Sequence, residues 1–220
     1  ITTTVTTVIN AARITLQETE VEGVRWTNAE LVDYLNDACR FLAESEPDAF
    51  SDNSEFECVV GTRQELPINA TRLVDIIRNL EGKKSPVFTT DQSTLNSVRP
   101  SWHSENPTTQ QELFFSDDRD PKRFYVYPPA TVGSLLEIVC TLNPRIHLTK
   151  ESQDKESVMQ MNDRYIPAIM NFILFRAFDK DSDTSGNFNR AQTYLRNAYT
   201  SLGIKMQNTG RISPNNEANK

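Results

Sequence analysis

The segment DKDSDTSG sets carboxylates at Asp179, Asp181 and Asp183, the alternate spacing with which a calcium loop begins. Such a loop also needs a glycine at its sixth position and a bidentate glutamate at its twelfth. Here Gly186 falls at position 8 and Arg190 at position 12, so the segment reads as a turn between helices with solvated carboxylates. Asp117, Asp118 and Asp120, just before Pro121, read as turn formers rather than paired catalytic acids. The two histidines, His103 in SWHSEN and His147 in RIHL, could each orient beside a hydroxyl, but the sequence has no G-x-S-x-G elbow to supply a nucleophile. EGKKS lacks the upstream glycine of a phosphate loop, and no G-x-G-x-x-G is present. Phe124, Tyr125 and Tyr127 beside Lys122 and Arg123 imitate a nucleic-acid platform, yet strand alternation puts Phe124 and Val126 on one core-facing side. These residues support neither an enzyme nor a bound cofactor or metal.

Composition narrows the classes further. A chain of 220 residues is long enough for a core without staples, and no apolar run approaches the 18 residues of a membrane span. Cys39, Cys58 and Cys140 are too few and too widely spaced for a zinc cage or disulfide scaffold and read as buried thiols in a reducing cytosol. The opening ITTTVTTV has no basic region, so it is not a signal peptide, and a short segment ahead of Ile1 is expected. The net charge of −7 disfavours a phosphate-seeking surface. Its distribution is uneven: residues 18–57 hold twelve acids and two bases, whereas Arg190–Lys220 holds five bases and one acid.

The elements that must position these residues fall into three blocks. Val5, Val8, Ile9, Ala12 and Leu16 recur at helical spacing, predicting a helix over 4–19. Thr27 and Glu30 form a capping box for a second helix over 27–46, with Trp26 as a hydrophobic staple and Pro47 as its stop. From residue 51 the pattern becomes β. Strands are predicted at Phe56–Val60, Arg63–Ile68, Leu73–Leu80, Val87–Thr90, Glu112–Ser116, Arg123–Tyr127 (ended by Pro128-Pro129) and Ser134–Leu142, with a short helical turn near Leu95. Residues 163–179 are apolar nearly all round, the mark of a central helix with several neighbours. Phe188, Ala191, Leu195, Ala198 and Leu202 make a last stripe, capped by Gly203.

The predicted fold is therefore α+β: a discontinuous four-helix bundle (1–50 and 151–203) with an inserted antiparallel β-rich domain (51–150). Residues 204–220 form an extended C-terminal arm. That arm offers Ile204, Met206 and Ile212 as apolar anchors, with Lys205 and Arg211 as outer contacts, and is expected to order only against a partner chain.

RWTNAELVDYLNDACRFLAESEPDAF, GTRQELPINATRLVDIIRN, RPSW, the D…PKRFYVYPP segment and YIPAIMNFILFRAFDKDSDTSGNFNRAQTYLRNAYTSLG occur in this order. Together they resemble the adaptor (head-to-tail connector) proteins of short-tailed bacteriophages, from about residue 5 to residue 205. The resemblance implies a virion structural protein at the neck, assembled in the host cytoplasm. It implies a homo-oligomeric ring, dodecameric, between the portal protein and the tail nozzle. Such a ring extends the DNA channel, with DNA only as transiting cargo, and gives tail nozzle and fibre proteins a platform. Two other classes are open on the residues alone. A small-ligand or sugar-binding module would show a deep aromatic pocket around Trp102, and a hydrolase would show a buried histidine touching a carboxylate or hydroxyl.

Overall fold

A computed structural model describes residues 3–18, 25–117, 119–181 and 185–203. The fold is mixed α/β of the α+β kind, and the chain divides into two compact units. One unit joins Ile1–Ser45 to Ile146–Lys220, and the other is the continuous stretch Glu46–Arg145.

In the first unit, helix α1 (Val5–Thr15) buries Val5, Val8, Ile9 and Ala12, and its cap is Thr4, whose side chain accepts from the Thr7 N–H. Helix α2 (Asn28–Ser45) begins at the expected capping box. The Thr27 N–H donates to Glu30 Oε2 at 2.9 Å and the Glu30 N–H returns to Thr27 Oγ1 at 3.2 Å. Trp26, just outside the box, is buried, and its indole N–H donates to the Ala177 carbonyl at 3.0 Å. Helices α4 (Ile166–Lys180) and α5 (Ser185–Ser201) form an antiparallel hairpin, and α4 also meets α2 and α1. Pro167 sits in the first turn of α4, where its missing N–H costs nothing, and Gly203 closes α5 at φ 73° with its N–H on the Thr200 carbonyl. Among its described side chains, helix α5 buries Ala191 and Ala198. Phe188, expected in its buried stripe, is 50% exposed because it lies in the first turn.

The second unit is a β-sandwich. Strands β1 (Ser51–Glu57), β7 (Leu135–Leu142) and β3 (Ala70–Asn79) form an antiparallel sheet in the order β1-β7-β3. Strands β2 (Gly61–Glu65), β6 (Asp120–Ala130), β5 (Leu113–Asp117) and β4 (Phe88–Thr89) form the other. Their inner faces share one core, with Phe56, Leu73, Ile76, Leu136 and Ile138 against Phe114, Phe124 and Val126. Strand β3 carries register shifts at Thr71, Val74 and Ile77, and near its end its outer edge is met by Pro86 opposite Arg78.

Three expectations are corrected here. The first strand starts at Ser51 rather than Phe56, and Val59-Val60 is a loop, because the polar run SDNSE is an edge strand paired only with β7. Strand β6 does not end at Pro128-Pro129 but continues to Ala130, where it faces Gly61. The two prolines lie where the register with β2 shifts and no N–H is required of them. The sheets are not wholly antiparallel, since β4 runs parallel to β5. The intervening residues 90–112, with helix α3 (Gln92–Val98) near the predicted turn at Leu95, provide the long crossover that parallel pairing needs.

Candidate interaction surfaces

Each histidine lies in a settled structural network. His147 is 2% exposed. Its backbone N–H donates to Asn36 Oδ1 at 2.8 Å and its carbonyl accepts from Asn36 Nδ2 at 3.0 Å, so α2 grips the returning chain on both sides. Its Nδ1 is 2.9 Å from Glu151 Oε2, and the same carboxylate oxygen accepts from Ser157 Oγ at 2.7 Å. A buried histidine therefore does touch a carboxylate, as the hydrolase class requires. The serine proton is directed at that carboxylate, however, and a side chain this deeply buried meets no substrate. Thr6 adds α1 to the cluster by donating to the Glu151 and Asp154 carbonyls. His103 Nδ1 lies 2.8 Å from Thr62 Oγ1, and its ring stacks on Trp102 at 3.6 Å.

Four aromatic residues of the β unit, Trp102, Phe115, Tyr125 and Tyr127, gather in a second core apart from the sandwich core. Trp102 is 1% exposed and packs with Leu95, Phe115 and Tyr127, while Tyr125 stacks on Phe115 at 5.0 Å. Tyr127 donates its hydroxyl to Glu105 Oε2, and burial, the larger effect, raises its pKa together with that bond. Alternation along β6 holds: Phe124 and Val126 face the sandwich core, and Tyr125 and Tyr127 face this cluster. The pocket expected around Trp102 by the ligand-binding class is thus filled by side chains.

A polar cleft of about 650 Å³ opens instead beside β4 and β5, lined by Asp75, Thr90, Asp91, Ser116, Asp117 and Arg119 among others. Asp91 is turned toward its own helix. Ser93 and Thr94 hydroxyls and the Thr94 N–H donate to its carboxylate and lower its pKa to about 2. Among the described residues no group of three or more histidine, cysteine, aspartate or glutamate side chains could hold a metal ion. Of the calcium-like segment, Asp181 accepts from Asn187 Nδ2 at 2.6 Å and ion-pairs with Arg25, and Asp183 lies outside the described residues. The three cysteines are buried thiols, and burial pushes Cys58 up to about 12, out of the nucleophilic range. No helix among the described residues is long and apolar enough to cross a membrane.

The remaining chemistry lies on surfaces. On the helical unit, Phe41 of α2 stacks on Phe172 of α4 at 4.6 Å and meets Tyr199 of α5 edge-on at 5.0 Å, and Phe172 meets Phe175 at 5.4 Å. All four rings are only half-buried. Beside them, Arg176 and Arg40 share Asp37 at 3.2 and 2.8 Å. Lys180 and Glu30 also pair, and that contact, above all other causes, lowers the pKa of Glu30 and raises that of Lys180.

On the β unit the loop between β1 and β2 exposes Val59 and Val60 at 61% and 60%, and the neighbouring turn exposes Val132 at 76%. The loop is clamped from below by Gln64, which is fully buried. Its Oε1 accepts from the Val59 N–H at 2.8 Å, and its Nε2 donates to the Val59 and Gly61 carbonyls at 2.8 and 3.1 Å. The Cys58 N–H reaches the Ser134 carbonyl, tying the two loops together. Sequence reasoning missed both surfaces. The β-branched pair Val59-Val60 reads as strand, and Gln64 gives no sign of burial beyond its place on the alternating inner face with Thr62 and Leu66. The arm residues Ile204, Lys205, Met206, Arg211 and Ile212 lie outside the described residues.

Among the described residues the surfaces left open are the exposed valine loops of the β unit and the half-buried aromatic face of the helical unit, both suited to contact with other macromolecules. The family model of the SU10 adaptor protein matches residues 3–218, and the chain belongs to that family. It is accordingly a phage adaptor, a structural component of the virion neck that associates with other virion components such as portal and tail proteins. No curated protein matches the chain.

Proposed function

We propose that the chain is the head-to-tail adaptor itself: copies assemble into a dodecameric ring between the portal protein and the tail nozzle, and this ring extends the DNA channel. Tail nozzle and fibre proteins dock on its outer side, and DNA passes through as cargo. The observation that carries this reading is the family match over residues 3–218, nearly the whole chain. In this reading α1, α2, α4 and α5 act as a discontinuous four-helix bundle (1–50 and 151–203), the stretch 51–150 is an inserted domain, and the ring assembles in the host cytoplasm. An acidic surface facing the channel repels phosphates and lets DNA move without sticking.

The arm 204–220 is the portal or neighbour contact, through Ile204, Met206 and Ile212 as anchors and Lys205 and Arg211 outside them. Alone it buries too little to offset about 1–2 kcal/mol of backbone entropy per residue, so it orders on its partner. Deleting residues 206–220 should leave the thermal melt of the monomer unchanged and abolish docking to portal rings. A truncated chain that docks with full affinity contradicts the assignment.

A further inference from the structure

Helix α4 has the composition of a helix covered on every side, yet its Phe172 and Phe175 side is only half-buried, extended by Phe41 and Tyr199 from the flanking helices. Arginines stand on the rim of this face: Arg40 and Arg176, with side chains 60% and 42% exposed, share Asp37, and α5 adds Arg196, while Glu44, one turn from Phe41 on α2, is an exposed acid beside them. The β unit presents the converse. Val59, Val60 and Val132 project from loops that the buried Gln64 amide holds in one conformation, so little further ordering is needed for them to enter a contact. They lie at the end of β1, an edge strand that carries Asp52, Glu55 and Glu57 and no base.

We infer that the valine loops of one copy seat on the Phe41, Phe172, Phe175 and Tyr199 face of the next copy, with the β1 acids against the arginine rim. The inference rests on the proposed ring and names its subunit contact. Sign decides against the other self-contacts. Two aromatic faces meeting across a two-fold axis would oppose Arg40 and Arg176 to their own copies, and two valine knobs would oppose the β1 carboxylates. Unlike patches on one chain give a head-to-tail contact, which propagates instead of stopping at a dimer and makes a ring when its rotation closes.

The test is sedimentation velocity on the full chain, alone and with portal rings, for wild type, Val132→Glu and Phe172→Gln, each checked by thermal melt. Val132→Glu lies in an exposed turn and leaves the monomer folded, so it keeps the test decisive if Phe172→Gln unfolds. Each variant alone should weaken self-association at least tenfold, the scale of one central contact residue. An equimolar mixture of the two should form dimers and nothing larger, since each retains one intact patch. Glu57→Arg should weaken association by a few-fold, and adding Arg40→Glu should restore it.

Wild-type self-association in Val132→Glu, or a mixture that stays monomeric with both variants folded, overturns the inference. So does a wild-type chain that stays monomeric alone and on portal rings. If deleting 204–220 abolishes self-association while Val132→Glu does not, the arm is the occupant of the aromatic face and the inference falls. A chain that self-associates through these patches yet never binds a portal ring keeps the inference and refutes the proposed place between portal and nozzle instead.

Discussion

Within Glu46–Arg145, three fully buried amide side chains hold the backbone together. Gln64 clamps the Val59–Gly61 loop, Asn79 exchanges bonds of 2.8 Å with both backbone groups of Gln111, and Gln111 in turn reaches the Thr108 carbonyl. The helical unit is fastened differently. Its two halves come from distant stretches, joined by aliphatic packing around Ile169 and Ile173 and by the Asn36, His147 and Glu151 network. The β unit therefore closes within one continuous stretch and spends its exposed valines on rigid loops. The helical unit closes only when both ends of the chain are present, and it leaves aromatic surface half-open. For a structural adaptor, this separates a preformed knob from a receiving face.

Cutting the chain at the unit boundaries tests the contrast most severely. Residues 46–145 alone should show one cooperative melt by circular dichroism, whereas residues 1–45 without 146–220 should show none, because α2 loses α4. A non-cooperative 46–145 fragment would break the comparison.

Next in size are changes within each core. Ile173→Ala, at a fully buried position, should cost about 2–5 kcal/mol in denaturant unfolding, and Phe172→Ala on the half-open side of the same helix distinctly less. Equal losses would mean that the Phe172 side is as closed as the Ile173 side. Gln64→Leu keeps the volume but strands the Val59 N–H and two carbonyls, and should cost about 2–3 kcal/mol. Hydrogen exchange at the Val59 amide should accelerate with it.

The smallest effect concerns acid. Asp91 has its pKa depressed from 3.8 to about 2, by Ser93 first and then Thr94. The unfolded chain therefore binds this proton more readily than the folded one. The contribution of the Asp91 cap to stability is complete above about pH 4 and is lost as pH falls through about 2. Asp91→Asn should flatten the pH dependence of the β unit's melt in that window alone. An unchanged pH profile would show that the cap is not coupled to folding.

Much of this architecture was legible in the sequence because local chemistry specified it. The Thr27–Glu30 box starts α2, Gly203 closes α5, Phe124 and Val126 alternate into the core, and the turn of helix near Leu95 is present. What was hidden depended on partners distant in sequence. The SDNSE run is a strand only because β7 pairs with it, β6 passes through two prolines because its register with β2 shifts there, and β4 is parallel because a long crossover returns the chain. The buried His147 could not be told from a surface histidine, since Asn36, its backbone partner, lies in the first half of the chain. Of the surfaces, the basic end was visible as composition, but the clamped valines and the aromatic face emerge only when Gln64, Phe41 and Phe172 are placed in space.

The central claim, that this is the adaptor joining portal to tail, is tested most directly by mixing the full chain with assembled portal rings of its own phage and imaging the product by electron microscopy. The account predicts a second ring stacked coaxially on one face of the portal, of matched symmetry. Portal rings that stay bare in the presence of excess folded chain would contradict it.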